Sequence, residues 1–147
     1  LGEIGSYQYG RALVAGSPHL GPGTLLLAGE WVTDDGPWDV PQNFRKLNGV
    51  ASYSVGTAAD GWQVTGMAYS AKGNATDQVP LRALESGQIG RFGSLDASDG
   101  GESQRYSLSG RWGRTGPNDA TRAGAYFTFS RRVGMSSCPP RGFAPFM

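Results

Sequence analysis

Cysteine and histidine are almost absent: Cys138 and His19 are the only examples among 147 residues. One cysteine allows no intrachain disulfide and no thiolate cluster for a metal. One histidine excludes a His-rich metal site and leaves any base-assisted nucleophile dependent on His19. His19 lies in SPHLGPG, a turn-rich stretch, and reads as a solvated turn residue. Other routes to catalysis are equally bare. No nucleophile-elbow pattern frames any serine. GPNDATRAG, residues 116–124, lacks the Lys-Ser/Thr ending and following helix of a phosphate-binding loop. DASDGGE, residues 96–102, departs from the spacing of the twelve-residue calcium loop. No enzyme activity and no cofactor are expected.

Charge is scarce as well. Charged residues make up 17%, against roughly 25% in an ordinary soluble domain. Thirteen Lys and Arg against twelve Asp and Glu leave a net charge of +1. No basic stripe of a nucleic-acid binder stands out in the sequence. Long apolar runs are missing too: the longest aliphatic one, LLLA at residues 25–28, is far short of the roughly 20 residues a membrane helix needs. A helical membrane protein is excluded.

What the chain has is glycine, 24 residues of it, and an aromatic share of 11%. Its hydrophobic pattern has a period of two, the signature of strands with two unlike faces. Over residues 105–112, Arg105, Ser107, Ser109 and Arg111 alternate with Tyr106, Leu108, Gly110 and Trp112. Over 122–130, Ala123, Ala125, Phe127 and Phe129 oppose Gly124, Tyr126, Thr128 and Ser130. Similar alternation marks 25–32, 47–55 and 62–70, and a first strand is expected over 6–14. Six strands are predicted in all.

Their connections alternate in length. Residues 16–23, 56–61 and 113–120 are short turns, whereas 34–44 and 71–104 are long. Antiparallel up-and-down strands place alternate links at opposite ends. A sheet with terse turns at one end and long loops at the other is typical of outer-membrane barrels. Trp31, Tyr53, Trp62, Tyr69, Tyr106 and Trp112 fall near strand ends, where such barrels carry aromatic girdles. The expected fold is all-β: an antiparallel up-and-down sheet of about six strands, forming part of a transmembrane β-barrel wall.

Several blocks carry a family resemblance in the same order. GPWDVPQNFRKLNGVASYSVG at 36–56, and the run from Trp62 to Trp112, resemble the barrel of a TonB-dependent outer-membrane receptor just after its plug. GSYQYGRALVAGS at 5–17 fits upstream. The resemblance covers residues 1–122 and implies an active importer of the bacterial outer membrane. Such receptors take up a ferric siderophore or another scarce nutrient and draw energy from the inner membrane through TonB. No TonB-contacting segment and no plug is recognised in the chain, and six strands cannot close a family barrel of roughly 22. A partial receptor barrel is therefore assigned to residues 1–130. Residues 131–147 end in SSCPPRGFAPFM, whose prolines oppose a central strand. They read as an irregular tail, as an out-of-frame segment would give.

Ligand-handling residues are expected in the loops, where variation does not disturb the sheet. Trp38, Arg45, Asp77, Arg82, Arg91 and Phe92 are the candidates. Arg82 and Arg91 have the planar forked donors that grip carboxylate or catecholate oxygens, and VPLRALESG at 79–87 suits one or two helical turns. Membrane lipid is the other expected contact. Two alternatives compete. A soluble lipocalin-like barrel would bind a small apolar ligand and turn Leu108 and Phe127 inward; a passive porin would need no plug or energy coupling.

Overall fold

Strands that alternate apolar and polar residues must put one set on each side, and hydrogen-bonded neighbours must align the sets. The computed structural model describes residues 1–75, 81–94 and 98–135. Its strands are β1 (Gly2–Ile4), β2 (Gly10–Gly16), β3 (His19–Leu20), β4 (Gly23–Asp34), β5 (Phe44–Gly56), β6 (Gly61–Asn74), β7 (Gly100–Thr115) and β8 (Ala120–Met135). All pair antiparallel in one sheet, in the order β1-β2-β4-β5-β6-β7-β8, with β3 beside β4. Apart from β3 this is sequence order. The sheet is open, because β1 and β8 do not pair with each other.

The six long strands are those expected, and β1 and β3 are additional. The strand expected over 6–14 is corrected. Tyr7 and Gln8 have φ of 57° and 58°, and the Tyr9 amide donates to the Ser6 carbonyl at 3.1 Å. They form a reversing turn between β1 and β2, with positive φ at both central positions as in a type I′ turn. The turn expected over 16–23 is also shorter. β3 continues the register of β2 against β4, since Gly16 faces Leu27 and His19 faces Thr24. Pro18 supplies no amide, yet its carbonyl still accepts from the Leu25 amide at 2.9 Å. Only Gly21-Pro22 remain as the loop, with Gly21 at φ 57°, the first-position glycine of a type II′ hairpin. His19 is thus an exposed strand residue, its Nδ1 lying 3.4 Å from Thr24 Oγ1. At the other end of the chain β8 runs past Ser130 to Met135. Cys138 and the prolines of the expected tail lie outside the described residues.

Register confirms the segregation of faces. Leu47, Ala51, Tyr53 and Val55 of β5 line up with Ser70, Gly66, Val64 and Trp62 of β6. Those of β6 line up with Gln104, Leu108, Gly110 and Trp112 of β7, and Leu108 then meets Phe127 of β8. The opposite face carries Ser52, Thr65, Ser109 and Tyr126 in one row. Leu13, Leu26, Val32, Val50 and Met67 are the large aliphatic side chains that interrupt that face.

Among the described residues no second layer covers either side, and the buried strand side chains show which face is the more enclosed. Val32, Ser52 and Ala71 are 8%, 5% and 8% exposed, and all three sit on the polar face. Leu47, Leu108 and Phe127 on the apolar face are 60%, 55% and 66% exposed. Over β4 to β7 the polar face is the more enclosed one, while Tyr126 on β8 stays 86% exposed at the open edge.

The short turns lock together. Residues 57–60 and 116–119 form two loops in which the Thr57 amide donates to Asp60 and the Gly116 amide to Asp119. The Thr115 hydroxyl donates to the Ala59 carbonyl at 3.1 Å, joining the two hairpins. Gly61 closes the first so tightly that a Cβ would overlap the Val55 carbonyl oxygen and press on the Thr57 backbone. Gly61→Ala should therefore cost about 2–3 kcal/mol. Gly66→Ala, where a Cβ meets nothing within 4 Å, should be neutral or stabilising by up to about 1 kcal/mol. Urea unfolding of the two variants in detergent micelles measures the difference, and equal midpoints would refute it.

Candidate functional site

At the long-loop end, loop 35–43 is held by its own backbone. The Asp35 amide donates to the Tyr7 carbonyl at 2.9 Å, and the Gln42 amide donates to the Asp35 carbonyl at 2.9 Å. Asn74 Nδ2 donates to the Pro41 carbonyl at 2.9 Å, fixing the loop against the end of β6. Asp35 itself is buried. Arg45 Nη1 lies 3.1 Å from Asp35 Oδ1 and donates to the Phe44 carbonyl at 2.9 Å. Its guanidinium is engaged in bracing the loop. Beside it in the β1–β2 turn, the Tyr9 hydroxyl donates to Glu3 Oε2 at 3.2 Å. Partial desolvation, aided by that carboxylate, raises the Tyr9 phenol above its usual pKa.

The second long loop docks on the first. The Asp39 amide donates to the Phe92 carbonyl at 3.0 Å, and the Trp38 and Phe92 rings meet edge to face at 6.1 Å. Such a contact contributes roughly 1 kcal/mol beyond the area it covers. Two loops distant in sequence thus share an aromatic clasp. The expected helical turn is α1 (Leu81–Glu85). Ala83 is its buried residue, and the Ala83 carbonyl accepts from the Gln88 amide at 3.0 Å.

Of the expected ligand residues, Trp38 and Phe92 come together and Arg91 stands exposed next to them. Arg82 is exposed on α1, and Arg45 is tied to Asp35. Asp77 lies outside the described residues. The loops therefore offer an anchored aromatic pair with an exposed cation beside Phe92 in the chain. Among the described residues no group of three His, Cys, Asp or Glu side chains is placed to hold a metal ion.

The polar face has its own organisation. Glu30 bridges Arg11 and Lys46, at 2.7 and 2.8 Å, across three adjacent strands. Ser52 shares hydrogen bonds with Thr65 at 2.7 Å and with Gln63 Nε2 at 2.6 Å. Further along, β7 and β8 carry arginines in diagonal pairs. Arg105 faces Ser130 while Ser103 faces Arg132; Arg111 faces Gly124 while Gly113 faces Arg122. Arg105 Nε donates to Ser130 Oγ at 3.2 Å. None of these four arginines has an ion pair among the described residues. Sequence reasoning put Arg105 and Arg111 on the polar side but gave them no role. Arg122 and Arg132 were missed because pairing requires the β7–β8 register. Among the described residues no helix is long and apolar enough to cross a membrane, a statement that does not concern strands. No protein-family model, curated protein or solved structure matches the chain.

Proposed function

We propose that this chain forms part of the wall of an outer-membrane β-barrel, in a receptor of the TonB-dependent type that takes up a scarce nutrient such as a ferric siderophore. The observation that carries the reading is an apolar face left uncovered among the described residues, on a sheet whose polar face is the more enclosed over β4 to β7. A soluble domain would bury Leu47, Leu108 and Phe127 against a second layer. A membrane wall turns them to lipid. From Leu47 to Val55 the apolar stretch is roughly 27 Å along the strand, or roughly 20 Å in height at a 40° tilt. That approaches the apolar band of about 25 Å in such barrels.

Aromatic placement adds support. Trp62 and Trp112 are cross-strand partners near the terse turns, and Tyr53 packs on Trp62 at 5.4 Å. Tyr106 and Phe129 pair six residues higher, toward the long loops. The two rows bracket Leu108 and Val64 and lie roughly 15 Å apart in height at that tilt, so the Trp62–Trp112 row suits one interface of a bilayer. The free edges of β1 and β8 require further strands, because backbone groups in lipid must be paired. In the complete receptor a plug would meet TonB, and the loops with Trp38, Arg91 and Phe92 would face the outside and meet the ligand. No catalytic step belongs to this role.

The test is side-chain environment in the refolded full chain. In a Cys138→Ser background, Leu108→Cys and Phe127→Cys carrying a fluorophore should be quenched by a nitroxide-bearing detergent. Ser107→Cys and Ser109→Cys should instead respond to a water-soluble quencher. The reverse assignment would replace the membrane wall with the lipocalin-like carrier.

A further inference from the structure

The polar face of β5 to β8 carries no carboxylate on any strand residue, yet it carries Arg105, Arg111, Arg122 and Arg132. The cations are not spread evenly. Diagonal neighbours on one face of an antiparallel pair lie roughly 7–8 Å apart. Arg105 with Arg132, and Arg111 with Arg122, therefore form two close like-charged pairs. Like charges so placed repel, and an anion held between them removes that repulsion while accepting from both guanidinium groups. Elsewhere on this face the sheet solves the same problem internally: Glu30 pairs with both Arg11 and Lys46, and Glu3 lies 3.7 Å from Arg11. Here the sheet supplies only neutral hydroxyls and amides.

Each pair also borders its own depression. Arg105 and Arg132 line a hollow of about 620 Å³ with Asn48, Tyr69, Ser103 and Ser130. Arg111 and Arg122 line one of about 300 Å³ beside the 57–59 turn. Both volumes fall in the range of small-molecule sites, roughly 300–1,000 Å³. Between the stations run Ser107, Ser109, Tyr126 and Thr128, giving a lane of neutral donors about 20 Å long. Guanidinium forks match the planar oxygen pairs of carboxylates and the oxygens of phosphates, and the hydroxyls donate to the remaining oxygens.

We infer that the two arginine pairs on the polar face of β7 and β8 are a two-station binding lane for small, multiply charged oxyanions. The inference rests on the polar face being open to water, as in the wall reading, but requires no transport. Carboxylate and phosphate are the two chemistries the stations can hold. One at the long-loop end and one at the terse-turn end would let an anion pass between them along the hydroxyls.

Isothermal titration of the refolded full chain in neutral detergent, with citrate and separately with inorganic phosphate, tests it. Binding of either anion at two sites is expected, weakening at least tenfold between 50 and 300 mM salt on the order of a two-charge contact. R105A/R132A should remove one site and R111A/R122A the other, with strand content unchanged by circular dichroism. R105K/R132K should retain the first site with about tenfold lower affinity, showing that charge placement matters as well as folding. Absence of binding for both anions overturns the inference, as does equal binding by the quadruple alanine variant or by a neutral sugar. Such a failure leaves the wall reading intact if the quenching pattern holds, because facing is read there without any anion.

Discussion

Leu108→Arg is expected to lower the partition constant of the refolded chain into detergent micelles about 30- to 800-fold, while Ser107→Arg changes it little. Leu108 sits mid-strand on the apolar face between Gly66 and Phe127. An arginine near the bilayer midplane costs about 2–4 kcal/mol on the lipid face of a barrel strand. The adjacent residue points the other way, so the same side chain there joins a polar surface already bearing arginines. Titration of detergent against the chain, followed by tryptophan fluorescence, reads the difference directly. Equal losses for both substitutions would mean that the two faces are not exposed to different solvents.

The second large effect is on solubility. After detergent removal, no monomer of this chain should remain in sedimentation velocity. Among the described residues β8 is hydrogen-bonded only to β7, which leaves one side of its 16-residue ladder open. Tyr126, Phe127 and Phe129 are 86%, 66% and 49% exposed beside that edge. An exposed, apolar, proline-free edge of this length is a template for pairing with other strands. In lipid the same open groups cost several kcal/mol each, which prevents a lone sheet from spanning stably. A soluble monomer with a cooperative melting transition would displace the membrane-wall reading and favour a soluble carrier.

Much of the architecture was legible in the sequence because period-two alternation is a local property. Arg105 to Trp112 announces its two faces without knowledge of any neighbour, and the structure keeps every residue on its expected side. The long strands outran their expected ends because glycines and charges at Gly100–Gly101 and Arg131–Arg132 look like loop composition. They remain paired through backbone bonds that ignore side chains. The Tyr7-Gln8 turn was hidden for the opposite reason: neither residue is the Gly or Asn that usually marks positive φ. His19-Leu20 was masked by Pro18, whose missing amide interrupts the ladder without ending it. In the candidate site, composition picked out Trp38 and Phe92, but their contact depends on how two loops fold back. The arginine pairs depend on register, which alternation within one strand leaves free.

The locked pair of short turns has a consequence for how the sheet assembles. β5 with β6, and β7 with β8, are each closed by four-residue loops, whereas β6 and β7 are joined through the long link 75–99. Closing the long link costs roughly 1.5 kcal/mol more in chain entropy than closing a short one. The two hairpins are therefore the first units to become profitable to form, each from contacts near in sequence. The Thr115–Ala59 bond then joins them at the end opposite the long link. Once that end is pinned, Gly61 and Gly113 stand in register, and β6 can zip onto β7 from the terse turns toward the loops. The loops that would meet a ligand are then the last part of this region to settle, and the least able to dictate its register.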